Sequence, residues 1–238
     1  MQLQQPSVKE GELRKNRPPA IAERIYQAIK DDIFEFRLIP GDRFTEQEIA
    51  QRLSASRTPI RQALFRLQQE GYVEVRFRNG WQVAPFDFEK FEDLYELRIV
   101  LELDAIKRLG QFSPDHVLIA LKPLSDIWLV KQDARLTDIA RVSALDESFH
   151  CSLVRAAGNA EIARVHQDVS EKIRIIRRLD FTKPSRITAT YDEHTQILKA
   201  ILKSRSDEAC RLMQSHIELS KMEVRKITIH MLHETRSI

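Results

Sequence analysis

The sequence predicts a mainly α-helical protein of two domains. The first is small and ends in a β-hairpin; the second is an all-α antiparallel bundle of six or seven helices. Three observations carry this. Apolar residues recur at three- and four-residue spacing over most of the chain, which is the period of one helix face. Only the stretch 72–84 turns to strand-like alternation around a tight turn. The 238 residues include six glycines, few for a chain of many tight turns, and the length suits two ordinary domains.

Residues 1–19 are polar and read as a flexible arm. Ile21, Ile25, Ala28, Ile29, Ile33 and Phe34 then mark a helix from about Ala20 to Phe36. Pro40-Gly41-Asp42 is a turn, and Thr45 followed by Glu48 forms a capping box for a second helix with Ile49, Ala50 and Leu53 inward. After the short turn Ser54-Ala55, a third helix runs from about Ser56 to Glu70. Ser56 is its N-cap, Pro59 lies in its first turn, Ile60, Ala63, Leu64 and Leu67 face inward, and Gly71 ends it. Residues 72–77 and 81–84 are strands joined by Arg78-Asn79-Gly80. Three helices and a hairpin make a winged helix-turn-helix over 20–85.

Pro85 marks the boundary to the bundle, 86–238. Asp87 and Ser113-Pro114 are start signals; Gly158 and Lys183-Pro184 are breaks. The expected helices span about 87–109, 115–132, 136–157, 159–179, 186–204 and 206–234, with room for a short seventh near 180–186. Short loops between them imply antiparallel neighbours.

Composition excludes several classes. No apolar run is long enough to span a bilayer, and the N-terminus lacks the apolar core of a secretory signal, so a cytoplasmic protein without a membrane partner is expected. Cys151 and Cys210 suit reduced, buried thiols better than a disulfide framework. Net charge is only +3, but six arginines (52, 57, 61, 66, 76 and 78) stand against Glu70 and Glu74 between Arg52 and Gly80. A local basic stripe is a footprint of phosphate binding. Arg57 and Arg61 project from one face of the N-terminal half of the third helix, the part of a recognition helix that meets base edges. The hairpin carries Arg76, Arg78 and Asn79, suited to a neighbouring groove or phosphates.

A second constellation lies in the bundle. Asp146 and His150, four residues apart, share a helix face beside Leu145, Phe149 and Leu153. His194 and His216 fall on two later helices beside apolar neighbours. One carboxylate and three imidazoles on three helices can converge on a divalent metal; spacing alone leaves open that these are hydrogen-bonded core histidines. His116, His166, His230 and His233 read as surface residues, and Cys151 is rotated away from His150 on the helix. Arg98 sits among leucines and turns either outward to solvent or inward to an anion. Arg174, Arg177 and Arg178 crowd one helix and read as partly solvated. A metal-dependent enzyme would need a general base beside the metal, and neither Glu147 nor Glu193 is well placed for that, so no enzyme is expected.

Both sets of motifs resemble one family. Residues 40–83, from Pro-Gly-Asp-Arg-Phe-Thr-Glu-Gln-Glu-Ile-Ala through Ser-Arg-Thr-Pro-Ile-Arg-Gln-Ala-Leu to Gly-Trp-Gln-Val, resemble the winged helix of GntR-family transcription regulators. The bundle resembles the FCD effector domain of the FadR-type subfamily in Glu96-Leu97-Arg98, Asp146-x-x-x-His150, Gly158-Asn159, Glu193-His194 and His216. The resemblance covers nearly everything after residue 20. It implies a homodimeric regulator, with repression expected over activation, bound to a palindromic double-stranded DNA operator. Gln47, Ser56, Arg57, Thr58, Pro59 and Arg61 would approach the DNA, with the wing at Arg78-Asn79-Gly80. It also implies a divalent metal ion on Asp146, His150, His194 and His216, zinc first, with nickel or manganese as alternatives. The metal and Arg98, with Asn159, would bind a small carboxylate effector; a purely structural metal is the other reading. Acyl-CoA-sensing relatives lack this ligand set, so acyl-CoA is not the expected effector. The chain departs from the family at Ser54-Ala55, where glycine is common, and at Gln62, where glutamate is common.

Overall fold

The computed structural model describes residues 21–76, 80–181, 184–224 and 226. The chain divides into two compact units, Met1–Pro85 and Phe86–Ile238.

In the first unit, α1 (Ile21–Phe34) packs on α3 (Arg57–Gln69), with α2 (Glu46–Arg52) between them in sequence. Their joint core is Ile25, Ile29, Ile33, Ile49, Ile60, Leu64 and Leu67, all buried. Three antiparallel strands close it: β1 (Arg43–Thr45), β2 (Val73–Arg76) and β3 (Gly80–Val83), in the order β1-β3-β2. The register pairs Phe44 and Val75 with Trp81. The hairpin strands were legible, but β1 was not, because three residues carry no readable alternation. Thr45 ends β1 and caps α2 at once. The Glu48 amide donates to its hydroxyl at 3.2 Å, and its own amide donates to the Glu48 carboxylate at 2.7 Å.

The two turns flanking the expected recognition helix are built alike. At its end, Gly71 takes φ +82°, and the Gly71 and Tyr72 amides donate back to Gln68 and Leu67. At the end of α2, Ser54 takes the glycine position with φ +47°, and the Ser54 and Ala55 amides donate to Gln51 and Ala50. The departure at Ser54 therefore keeps the turn, with a side chain in left-handed backbone. Ser56 does occupy the N-cap position of α3, but its hydroxyl makes no capping bond, which corrects the expectation. The third helical residue is Pro59, which has no amide to donate, so one of the two usual donors is missing.

The second unit contains α4 (Phe88–Leu109), α5 (Pro114–Ala120), α6 (Lys122–Trp128), α7 (Ile139–Ala156), α8 (Ala160–Asp180), α9 (Pro184–Leu202) and α10 (Ser206–Val224). Asp87, Ser113, Asp138 and Asn159 cap four of them through their side chains. These are seven helices among the described residues, and the extra one is not at 180–186. The single helix expected over 115–132 divides at Leu121, because Pro123 cannot donate an amide to the preceding turn. The expected helix at 136–157 starts later, at Ile139. The expected stretch beyond Val224 lies outside the described residues, apart from 226. Helix α4 packs on α7, α8 and α10, and α9 packs on α7 and α10, around Tyr95, Ile106, Trp128, Phe149, Ile173, Leu198, Met213 and Ile217. No helix among the described residues is long and apolar enough to cross a membrane.

Because Ser54 is exposed and holds a left-handed φ, Ser54→Gly should raise folding stability by about 1 kcal/mol, and Ser54→Val should lower it. Urea denaturation monitored by circular dichroism reads both.

Candidate functional site

Five helices of the bundle each place polar side chains in its interior. Helix α4 supplies Arg98 and Glu102, α7 Asp146 and His150, α8 His166, Ser170 and Arg177, α9 Thr190 and His194, and α10 His216. All ten are buried, in rows that are otherwise apolar. On α8, for example, His166, Ser170, Ile173 and Arg177 fall at the four- and three-residue steps of one helix face.

Asp146, His150, His194 and His216 converge. One ligand atom from each can be chosen so that all four lie within 4.8 Å of one another. The outer edge of the group fixes which nitrogens point inward. His150 Nδ1 lies 2.6 Å from Glu102 Oε2, and His216 Nδ1 lies 2.6 Å from Glu193 Oε2. Each Nδ1 therefore carries the proton it donates to a carboxylate, and each Nε2 of a neutral ring presents a lone pair. Those two Nε2 atoms face each other at 3.2 Å. His194 Nε2 lies 3.3 Å from Asp146 Oδ1 and has no hydrogen-bond partner. His150 Nε2 is 3.6 Å from the same oxygen. Two imidazole nitrogens this close in a closed site need either a shared proton or a cation between them. Bonds of about 2.0–2.1 Å to a tetrahedral metal would put neighbouring donors about 3.3 Å apart, which matches these separations. The residues present fit a divalent ion.

Electrostatics agree. Burial pushes the His216 imidazole down to about 4, despite Glu193 beside it, and pushes His194 well below the usual range. Burial opposes ionisation of Asp146 and Glu102, but the charges around them win and hold both well below the carboxylate range. Arg177 and the imidazoles act on Asp146; His150 and Arg98 act on Glu102. Ring packing sets the remaining orientation. His194 stacks on Phe149 at 3.7 Å between centroids, and the edge of Trp128 approaches it at 4.2 Å.

Several residues differ from expectation. His166 is not on the surface. It is fully buried, with Nε2 3.0 Å from Glu102 Oε1. Arg177 is not partly solvated; it is buried and donates to Asp146 Oδ2. Arg174 is partly exposed, as expected, and donates to Glu147 through Nε and Nη2, at 2.7 and 2.6 Å. Arg98 turns inward, and its Nε donates to Glu102 Oε1 at 2.6 Å rather than standing free for a ligand, while Nη2 is buried without a partner. Asn159 uses its side-chain oxygen to cap α8, accepting from the Glu161 and Ile162 amides at 3.1 Å, so that oxygen is committed to the helix. Cys151 is buried and Cys210 half-buried, both as free thiols. Sequence spacing missed Glu102, though Arg98-x-x-x-Glu102 is an i,i+4 ion-pair pattern inside an apolar stripe, and that signal was available.

In the first unit, Gln47, Ser56, Arg57, Thr58 and Arg61 are exposed and Pro59 is half-buried along the start of α3 and the facing turn of α2. Arg61 donates twice to Glu46, at 3.0 and 2.9 Å, and Arg57 Nη2 reaches Gln47 at 3.4 Å. Glu46 is also held by Trp81 of β3, and Arg61 is the main cause of its lowered carboxyl pKa. On the wing, Arg76 is tied to Glu74 and Gln82, and Gly80 opens β3; Arg78 and Asn79 lie outside the described residues.

Glu102 accepts from Arg98, His150 and His166 with no exposure to water. Glu102→Ala should therefore cost about 3–5 kcal/mol of folding stability, since it strands a buried guanidinium. Chemical denaturation of the variant beside the parent tests this.

Comparison with known proteins matches the same two units. The model of the family described as bacterial regulatory proteins, gntR family, matches residues 21–83, and that of the FCD domain matches 93–219. The Nta operon transcriptional regulator of Aminobacter aminovorans is 31% identical over 185 residues, covering 78% of this chain and 84% of that protein. The HTH-type transcriptional repressor RspR of Escherichia coli K12 is 22% identical, covering 91% and 94%. Among solved structures, McbR/YncC of E. coli has a TM-score of 0.66 at 14% identity, covering 88% of this chain and 99% of that one. A transcriptional regulator GntR from Rhodococcus sp. RHA1 has a TM-score of 0.66 at 20% identity, covering 87% and 98%; at such identities these two show a shared fold alone. With a gntR winged helix and an FCD domain matched in that order, this chain belongs to the GntR family of transcription regulators, in its FadR-type, FCD-containing branch.

Proposed function

We propose that this protein is a cytoplasmic, homodimeric repressor whose grip on a palindromic operator is set by a small carboxylate metabolite bound in a metal-containing bundle. The observation that carries the reading is the convergence of four ligand atoms in a buried Asp/His group, with two imidazole Nε2 atoms 3.2 Å apart, on the same chain as an exposed basic helix start. Residues 20–85 serve as the DNA-binding domain. Arg57 and Arg61 read guanine edges by paired bonds, Gln47, Ser56, Thr58 and Pro59 line the approach, and the wing at Arg78-Asn79-Gly80 meets a neighbouring groove or phosphates. Residues 86–238 form the effector and dimerisation domain; the arm expected over 1–19 lies outside the described residues. The operator's two-fold symmetry would mirror that of the dimer.

Asp146, His150, His194 and His216 would hold the divalent ion, with zinc the first choice for this N/O donor set and nickel or manganese accepted by the same ligands. The ion supplies a positive centre on which a carboxylate oxygen can be bound. Glu102 and Glu193 fix the tautomers of two of the imidazoles, Arg177 orients Asp146, and Arg98 offers Nη2 to the effector. For control of transcription, the effector must bind one arrangement of the two winged helices better than the other, since equal affinity shifts nothing.

Arg57→Ala and Arg61→Ala should each weaken specific operator binding by about 1–3 kcal/mol while the fold is retained. Gel-shift or anisotropy titration at fixed salt measures this, and near-normal specific binding by both variants sinks the recognition-helix assignment. Mass spectrometry should find stoichiometric metal in the purified parent and none in His194→Ala. Calorimetry with small carboxylates, before and after chelation, separates metal-mediated sensing from a purely structural ion: binding should vanish with the metal.

A further inference from the structure

The polar layer of the bundle holds more hydrogen-bond donors than its own acceptors satisfy. Arg98 Nη2, Arg177 Nη1, Ser170 Oγ and Thr190 Oγ1 are all buried without a partner. Buried guanidinium nitrogens without acceptors are rare in folded proteins and point to a missing anion. The two arginines approach one region. The Arg98 guanidinium lies 5.9 Å from the centre of the Tyr95 ring, and Arg177 also interacts with Tyr95. The packing of α4 on α8 puts Glu102 against His166, and it brings Tyr95, about two turns earlier on α4, near Arg177, three turns later on α8. The two helices thus run antiparallel. In that register Ser170, one turn beyond His166, lies opposite Arg98, one turn before Glu102.

The fixed charges of the layer add a second constraint. Arg98 and Arg177 are offset by Glu102 and Asp146, and the flanking Arg174 and Arg186 by Glu147 and Glu193. The charges of these eight residues balance, and a divalent ion on the Asp/His group adds two positive charges to them. A ligand with one carboxylate offsets one of them. Uncompensated charge in such a setting is strongly disfavoured.

We propose that the natural effector is a dicarboxylate: one carboxylate meets the metal centre, and the second is held by Arg177 Nη1 and Arg98 Nη2 with the Ser170 hydroxyl. This rests on the metal-and-carboxylate reading above and adds the second anionic subsite to it.

The test is calorimetry on the full-length, zinc-loaded protein, with metal content checked by mass spectrometry before and after each titration. The probes are acetate, propionate and butyrate against malonate, succinate and glutarate. At least one dicarboxylate should bind tenfold or more tighter than its monocarboxylate counterpart. Ser170→Ala, which touches no proposed ligand, should weaken the dicarboxylate severalfold and the monocarboxylate not at all. Monocarboxylates binding as tightly as every dicarboxylate would overturn the second subsite while leaving the carboxylate reading intact. Failure of all six acids to bind zinc-loaded protein would overturn both.

Discussion

Asp146 and Glu102 are carboxylates shut away from water inside a helical bundle, and each stays ionised only because cationic or donating groups surround it. That requirement organises the middle of the domain. Glu102 binds α4 to α7 through His150 and to α8 through His166; Asp146 binds α7 to α8 through Arg177 and faces His194 of α9. A helix that shifted along its axis would strand a charge, so the polar layer fixes the register of packed surfaces that leucine and isoleucine alone would leave adjustable. The same carboxylates turn imidazole lone pairs inward. The network that fixes the register is thus also the one that shapes the candidate cation site.

This arrangement explains how a small ligand can matter to a bundle of this kind. The donors left without partners belong to the same helices that the carboxylates lock together. An anion that completed their hydrogen bonds would favour one relative placement of α4 and α8 over others, which is the differential binding that the proposed switch requires.

The winged helix shows a parallel economy of backbone amides. The turn before α3 takes a left-handed serine, and the first turn of the helix holds a proline, which has no amide to satisfy. The chain therefore enters α3 without a side-chain cap. Instead, the exposed first turns of α2 and α3 are tied to each other, Arg61 to Glu46 and Arg57 to Gln47. The arginines that face outward are held by neighbours before any partner arrives.

Period and punctuation were enough to locate most helices, the hairpin strands, and the capping box at Thr45. They also picked out Asp146, His150, His194 and His216, because a polar residue recurring inside an apolar stripe breaks the pattern visibly. What they could not decide was environment. His166, Arg98 and Arg177 look in the sequence like residues that water could hold, and α4, α7 and α8 bury all three. Strand β1 was invisible because its three residues gain their structure from pairing with β3, eighty-two against forty-three, not from any local preference. The sequence by itself determined the order of helices, the basic helix start and the set of metal-type donors, since those depend on spacing of a few residues. Only the tertiary structure decided which charges are buried, which carboxylate fixes which imidazole and which donors remain unmet, because those depend on contacts between helices far apart along the chain.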